Sequence, residues 1–337
     1  DSKGEIRLYS NGCRVFGNNN KTISGLEEIN RDSYWWRGDG HRVGQSLLTL
    51  EDPNDKNQFY IIYCFDDLPI GDTILQSNIL RASLVNLTNL DMPEIIFKDK
   101  FIHSEKFAWG EVTSTRHANG RDWWIVIPKR YSKDLLIYLL DPTGINFHHE
   151  QRFDLPSASG GLGQACFSPD GSYYSVGNIF GNYRLGGYLE LFAFDRCNGI
   201  LSHKRVMAVS DSSNFVGLAF SPNSKYIYYA TQYILWRTNS TLDDLESGQI
   251  KVDTFIGVKD MPFRCAFGTM LLAPNGVIYM ASSGSNRCMS SINNPDEDNI
   301  AQIGWEQNGI QLLTYNFRSI PNLPNFRLGP IDGSECD

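Results

Sequence analysis

Three oxygen-bearing side chains are the candidates for metal chemistry in this sequence. Glu111 lies two residues before a predicted strand and close to Trp109, and Asn214 and Asp260 precede two further predicted strands. Carboxylate and amide oxygens are the ligands that Ca²⁺ prefers, and the ion takes about 6 to 8 of them. A calcium site is therefore one hypothesis for these residues. The other, which we favour, is that all three are ordinary loop residues.

A second kind of candidate is aromatic. Tyr34, Trp35 and Trp36 follow one another in a predicted loop. Exposed aromatic rings can stack on a sugar or dock against a protein, so these three are the candidate partner-binding aromatics. Trp123 and Trp124 differ from them, because adjacent residues of a strand face opposite sides of the sheet, and both are predicted to pack between successive sheets.

Other catalytic and metal-binding patterns are missing from the sequence. It contains no GxSxG nucleophile turn and no cysteine or histidine pairs at zinc-site spacing. His148 and His149 are neighbours in a predicted strand, where their side chains should face opposite sides and could not chelate one metal. The GGLG run at 160–163 lacks the Lys-Ser/Thr pair and the following helix of a phosphate loop. No catalytic residue is assigned, and a protein without enzymatic activity is favoured over an enzyme.

The elements that must position these residues form a repeat. In its cleanest copies an apolar strand enters a Pro/Asp/Asn/Gly turn and leaves as an aromatic-rich strand, as in QACFSPDGSYYSVG (164–177), GLAFSPNSKYIYYA (217–230) and TMLLAPNGVIYMAS (269–282). The turn prolines stand at 169, 222 and 274, which gives spacings of 53 and 52 residues. A period of about 50 residues is typical of a propeller blade.

Each copy is followed by a second hairpin, so the repeat predicts a four-stranded blade. Six copies in phase argue against the runner-up fold, a double β-sandwich. We therefore predict an all-β, single-domain β-propeller of six or seven four-stranded blades over residues 1–313, with an extended C-terminal wrap over 314–337. The repeats start near residues 1, 47, 107, 160, 213 and 264, and the first copy is incomplete.

Alignment of the repeats places four residues at one equivalent position of the innermost strand: Thr113, Gln164, Gly217 and Thr269. In a propeller this strand lines the central channel, so the four are channel-lining candidates. A small, polar ring could hold an ion, and a hydrated structural channel is the simpler interpretation.

Six segments carry a resemblance to a known family: GEIRLYSNGCRVF (4–16), HANGRDWWIV (117–126), CFSPDGSYYSVG (166–177), FDRCNGILS (194–202), LLAPNGVIYMA (271–281) and PNLPNFRLGPIDGS (321–334). Together they resemble exported, WD-repeat-like propeller proteins of Bacteroidetes, and NGRDWW and LPNFRLG are the more specific parts. The resemblance implies export to the cell surface or medium. Many members carry a C-terminal sorting domain for type IX secretion, which this sequence lacks, and we expect cleavage or trimming to account for the difference. The family supplies no catalytic residues.

Charge, apolar runs and cysteine content limit the partners, membrane segments and disulfides that can be expected. The 337 residues include 30 Lys and Arg against 38 Asp and Glu, a formal charge of -8 without basic runs, so nucleic acid is not an expected partner. No stretch reaches the roughly 20 apolar residues of a membrane-spanning helix. Seven cysteines cannot all pair within one chain, and the sequence leaves open which of them form disulfides.

The function predicted first is an extracellular or cell-surface binding or structural propeller that contacts protein, glycan or copies of itself, with a filament or sheath subunit as one form. The alternative is a calcium-dependent propeller hydrolase or lactonase. In that case Glu111 would enter the channel mouth together with Asn214 and Asp260. No other cofactor is expected.

Overall fold

The computed structural model describes residues 5–31, 40–41, 43–67, 76–153, 160–178, 187–209, 214–257, 265–317, 320–334 and 336. The chain divides into two units, Asp1–Pro156 with Pro324–Asp337, and Ser157–Leu323. Within the described ranges, no helix is long and apolar enough to cross a membrane.

The first unit contains a two-stranded sheet and two four-stranded blades. The small sheet pairs β1 (Leu8–Ser10) with β2 (Val15–Gly17). The first blade is built in chain order from β3 (Leu47–Glu51), β4 (Gln58–Asp67), β5 (Gln76–Asn86) and β6 (Glu94–Phe107). The second consists of β7 (Thr113–Arg116), β8 (Trp123–Pro128), β9 (Asp134–Asp141) and β10 (Gly144–Arg152).

The second unit contains three further blades, each an antiparallel meander. Their strands are β11 (Gln164–Phe167), β12 (Tyr173–Asn178), β13 (Tyr188–Asp195) and β14 (Ile200–Ala208); β15 (Phe215–Phe220), β16 (Tyr226–Thr231), β17 (Ile234–Asn239) and β18 (Ile250–Thr254); and β19 (Ala266–Leu272), β20 (Ile278–Ser283), β21 (Asn286–Ile292) and β22 (Trp305–Asn316). Two single-turn 3-10 helices, Glu246–Gly248 and Ile300–Gln302, interrupt the last two blades.

The repeated turn has a local cause. In the blade that begins at β11, Asp170 accepts hydrogen bonds from the Ser172 amide at 3.0 Å and the Ser168 hydroxyl at 2.6 Å. Gly171 follows with a φ of 73°, a conformation that costs glycine little. The side chain thus replaces the backbone bonds that a strand would make, and the chain reverses.

The all-β class and the four-stranded unit are confirmed, but the predicted count of six or seven blades is wrong, because the described residues form five four-stranded blades. The first repeat copy supplies only β1 and β2, of three residues each. Residues after β2 fold back on that hairpin instead of pairing as further strands: the Ile23 amide donates to Val15 and the Ile29 amide to Cys13, both at 2.9 Å. At the other end, β22 continues to Asn316, beyond the predicted boundary at 313.

The segments NGRDWW and LPNFRLG contact each other in the first unit. The Phe326 ring, in LPNFRLG, meets the Trp123 ring of NGRDWW edge-on at 5.3 Å. The Ile331 amide donates to the Ala118 carbonyl at 2.9 Å. A Cβ atom on Gly120 would lie 2.5 Å from the backbone nitrogen of Pro330. The first turn of the second blade is therefore a docking site for the C-terminal segment.

We expect Gly120→Ala to release this segment, and Gly333→Ala to leave it in place. Both glycines have a φ of 72°, so an alanine carries a similar backbone cost at either position, but nothing lies within 4 Å of a Cβ on Gly333. The clash should make Gly120→Ala about 1–3 kcal/mol more destabilising. Denaturant unfolding with limited proteolysis of the C-terminal segment measures this, and equal behaviour of the two variants would contradict the docking.

The cysteines divide into two classes. Cys197 and Cys336 are disulfide-bonded. The other five are thiols outside any disulfide bond: Cys13, Cys64, Cys166, Cys265 and Cys288. Burial strongly raises the pKa of the Cys166 thiol, which keeps it protonated and unreactive at neutral pH.

Candidate functional site

Glu111 lies in a strained turn just before the second blade. Its side chain is fully buried, and its φ is 61°. The preceding Gly110 has a φ of 75°, and a Cβ there would stand 2.1 Å from the Gly44 carbonyl oxygen. The turn is held at both ends, since the Ala108 amide donates to Pro128 at 2.8 Å and the Val112 amide to Gln45 at 3.2 Å. A buried carboxylate on a left-handed residue is the type of local strain that accompanies functional sites.

The same backbone conformation recurs in two other blades. Gln45 and Leu162 occupy the position two residues before β3 and β11, with φ values of 51° and 65°. Three blades therefore share this strained turn. Of these three residues, Glu111 alone has a carboxylate. Any role specific to Glu111 therefore comes from its side chain and not from its backbone.

Trp109, two residues before Glu111, stacks with the side chain of Arg130. The Arg130 guanidinium sits 3.9 Å above the Trp109 ring and 4.7 Å from the Tyr131 ring. Its backbone amide donates to Lys106 at 2.7 Å. Arg130 is buried, so the stacked cation is part of the fold of the second blade and not an open binding platform.

The structure describes two of the three predicted calcium ligands, Glu111 and Asn214. Asn214 is exposed, and its carbonyl oxygen accepts a hydrogen bond from the Gln232 amide at 3.1 Å. Asp260 lies outside the described residues, as do Tyr34, Trp35 and Trp36. In the described ranges, no group of three or more His, Cys, Asp and Glu side chains is arranged to hold a metal. The calcium site stays a prediction.

The four channel-lining candidates are buried, and all lie on the first strand of their blades. Thr113, Gln164 and Thr269 are 6%, 4% and 8% exposed. At Gly217, a Cβ would lie 2.2 Å from the Gly268 carbonyl oxygen, so glycine is required for β15 to approach β19. Whether the four positions line a channel stays a prediction.

Gln164 joins the first strands of three blades. Its Oε1 accepts hydrogen bonds from the Leu218 amide on β15 and the Met270 amide on β19, both at 2.9 Å. Its Nε2 donates to the Met270 carbonyl. Repeat alignment identified the position but not this role, because partners 54 and 106 residues away follow from the tertiary fold.

The adjacent tryptophans of β8 contact different partners. The Trp123 indole donates to the Glu51 carbonyl at 3.2 Å, and the Arg116 guanidinium stacks 3.8 Å from its ring. The Trp124 ring instead meets His148 edge-on at 5.0 Å. Trp123 therefore joins the first and second blades, with the Arg116–Glu51 ion pair beside it.

The prediction that His148 and His149 face opposite sides of the sheet is wrong. Their Nδ1 atoms lie 2.7 Å apart. The register of β10 on β9 shifts between Phe147 and His149, so His148 is the extra residue of a β-bulge. The bulge cancels the alternation on which the prediction rested.

Comparison with known proteins yields similarity of fold only. No family model and no curated protein matches the chain. Among solved structures, the periplasmic gluconolactonase of Pseudomonas aeruginosa is 11% identical, with a TM-score of 0.49 over 85% of this chain and 77% of that chain. A candidate 6-phosphogluconolactonase of Bacteroides uniformis is 12% identical, with a TM-score of 0.48 over 92% and 96%. A nidogen/laminin complex gives 11% identity and a TM-score of 0.47 over 89% and 91%. Similarities this low assign no activity or ligand to the chain.

Proposed function

We propose that this protein is an exported β-propeller that binds a protein partner along the free edge of its last blade. The observation that carries the proposal is β22, which is the final strand of its sheet and pairs only with β21 among the described strands. An edge strand presents unpaired backbone amides and carbonyls, which another extended chain can use for strand addition.

The second half of β22 lacks the charged side chains and prolines that protect many edge strands. Residues 307–317 (QNGIQLLTYNF) contain no charged side chain and no proline. By contrast β6, the last strand of the first blade, spans 14 residues and has six charged side chains: Glu94, Lys98, Asp99, Lys100, Glu105 and Lys106. Charges of this kind discourage edge pairing. A run of 11 residues without charge or proline at this edge is suited to pairing.

The apolar side chains of β22 are also unusually exposed. Leu313 is 96% exposed and Tyr315 54%, and Phe317, which directly follows the strand, is 58% exposed. The register against β21 passes from Gln311 directly to Asn316, so residues 312–315 project from the ladder. Exposed apolar side chains grouped in this way are typical of a surface that binds another molecule.

The chemistry of this edge identifies the kind of partner. With no charges to match, the edge favours an extended, apolar segment that makes backbone hydrogen bonds and covers Leu313 and Tyr315. A second copy of this chain is one source of such a segment. Protein is favoured over glycan because the described surface offers an apolar strand edge.

Native size-exclusion chromatography of protein taken from its own host tests the proposal. The wild type should elute in a species larger than the single chain, and the double variant Leu313→Lys/Tyr315→Lys should elute as the single chain. The matched control is Ile200→Lys/Ile250→Lys, which places the same two charges on exposed apolar residues of other blades, 40% and 44% exposed. A wild-type single chain, or equal elution of both variants, would argue against the proposal.

Export is the second part of the proposal. It is supported by the disulfide-bonded state of Cys197 and Cys336, because disulfides persist in oxidising compartments. The resemblance to exported Bacteroidetes propellers, many of them type IX secretion substrates, is consistent with this location.

We expect thiol titration of the denatured native protein to find five thiols without reductant and seven with it. Protein alkylated at the moment of cell lysis should be compared with protein alkylated after purification, so that oxidation in air is detected. Seven thiols before reduction in freshly alkylated protein would place the native chain in a reducing compartment.

A calcium-dependent hydrolase or lactonase is the second candidate, and the buried, left-handed Glu111 is the observation that favours it. Calorimetric titration with Ca²⁺ tests it directly. Binding of one ion that is lost in Glu111→Gln, followed by turnover of a lactone or ester, would support this candidate. No calcium heat in the wild type would remove it.

A further inference from the structure

The β-bulge in β10 brings the rings of His148 and His149 together on the outer strand of the second blade. Their Nδ1 atoms form a hydrogen bond of 2.7 Å, and the ring planes stand at 71°. In such a bond one Nδ1 carries the proton and the other accepts it. We call these two rings the imidazole pair, and they hold a single proton on the line between them.

The number of protons on the imidazole pair decides whether this contact can exist. A neutral imidazole has one N–H, whereas an imidazolium has an N–H on both nitrogens. The neutral pair and the singly protonated pair can each keep one Nδ1 as an acceptor. In the doubly protonated pair both Nδ1 atoms are donors, so the hydrogen bond is lost and two like charges face each other. Interacting groups of this kind titrate in two separate steps, and the second step lies at lower pH.

The surroundings of the imidazole pair oppose its full protonation. Burial lowers the pKa of His149 from its ordinary value of 6.5, a hydrogen bond with Gln151 acts in the opposite direction, and the nearby His148 lowers the pKa again. His148 lies edge-on to the Trp124 ring at 5.0 Å, and Trp124 is buried. The unfolded chain therefore takes up these protons before the folded chain does, so folding loses stability as the pH falls below 6.5.

The other charged groups packed around β10 have partners of their own. Three ion pairs surround the strand, with distances of 3.6, 3.0 and 3.3 Å: Glu150–Lys129, Glu105–Lys129 and Arg152–Asp134. His103 on β6 is hydrogen-bonded to the Tyr138 hydroxyl of β9 at 2.7 Å. His117, which follows β7, contacts the Trp124 ring at 5.3 Å. His103 and His117 are thus the two further histidines whose protonation a test must separate from that of the imidazole pair.

We propose that the imidazole pair is a pH-sensitive contact that closes the bulge of β10 at neutral pH and opens it when both rings are protonated. Repulsion turns His148 away from Trp124 towards solvent, which its exposed position allows. The residues that follow the bulge, 149–152, pair with 134–137 of β9 and then lose the contact that holds their first residue. This contact lies on β10 and is independent of the β22 edge.

Hydrogen exchange of the backbone amides near pH 7 and near pH 5, corrected for the intrinsic exchange rate, tests the proposal. In the wild type, protection of residues 149–152 should fall by about fivefold or more at the lower pH. His148→Asn keeps a hydrogen-bonding group near the position of Nδ1 but cannot become charged. This variant should keep its protection at both pH values.

Nitrogen NMR of protein labelled in its histidine rings gives a second measurement that needs no variant. The rings of the imidazole pair should titrate in two separate steps, with one Nδ1 proton shared between them at neutral pH. His203→Asn is the matched control for hydrogen exchange, because His203 is an exposed histidine on β14, and it should respond to acid as the wild type does.

Three results would overturn the proposal. The first is equal protection of residues 149–152 in the wild type at both pH values. The second is a loss of protection that persists in His148→Asn, since it would come from His103 or His117. The third is a ring titration in which His148 and His149 take up their protons independently of each other.

Discussion

Gln164→Leu should lower the free energy of unfolding by about 3 kcal/mol or more, since it leaves several buried backbone groups without their hydrogen-bond partner. The amide of this side chain satisfies two backbone amides and one carbonyl on β15 and β19. Leucine fills a similar volume but can make none of these bonds. Urea unfolding monitored by tryptophan fluorescence measures the change. The comparison requires that the slope of the unfolding free energy against urea concentration is the same in the variant and the wild type.

Thr113→Val is the matched control, because Thr113 occupies the equivalent position on β7 and is similarly buried. It removes one hydroxyl without changing the shape of the side chain, so its cost should be about 1 kcal/mol. If Gln164→Leu proves no worse than Thr113→Val, Gln164 does not join the three strands.

Glu190→Gln should stabilise the protein above neutral pH and have little effect below about pH 4. Glu190 lies on β13 between Val176 and Val206, and it is 2% exposed. Burial raises the pKa of its carboxyl group from 4.5 to about 7, an effect that Lys204 opposes. The folded protein therefore holds the proton more tightly than the unfolded chain does.

The pH window follows from these two pKa values. Below pH 4.5 the carboxyl group is protonated in both states and costs nothing, and between 4.5 and about 7 the folded state loses stability as the unfolded chain ionises first. Above that range the loss approaches about 3 kcal/mol, and the glutamine variant avoids it. Thermal unfolding from pH 4 to 8 measures the difference. The exposed Glu94, changed to Gln, is the control that should show no such gain, and parallel curves for Glu190→Gln and the wild type would contradict the burial of this carboxyl group.

The four-stranded repeat could be predicted from the sequence because its turns are set by neighbouring residues. The number of blades could not, because it depends on which segments pair as strands. The turn at Asp170 and Gly171 is specified by residues within five positions, so the four-stranded unit could be recognised from the sequence alone. The first copy forms no blade because residues 18–31 fold back on the first hairpin, and the spacing of these residues does not reveal which carbonyls their amides will reach.

For the candidate sites, too, the sequence indicates the residue types but not the geometry that the tertiary fold gives them. Glu111 was identified as a carboxylate beside a strand, but its left-handed backbone depends on the close approach of Gly44 to Gly110. The histidine pair was dismissed on an assumed alternation that a shift in pairing with β9 removes. Leu313 was assigned to the last residues of the propeller with no indication of its exposure, because a strand edge is defined by the partner it lacks.

Photo-crosslinking at Leu313 tests the central claim most directly. A benzophenone amino acid placed there, in protein expressed in its own host, should give one discrete cross-linked product, and the same probe at Ile200 on β14 should give none. The product should disappear when Tyr315→Lys and Phe317→Lys are added, and its mass will show whether the partner is a second copy or another protein. If Leu313 and Ile200 give the same products, or neither gives any, the edge of β22 is not the binding surface of this protein.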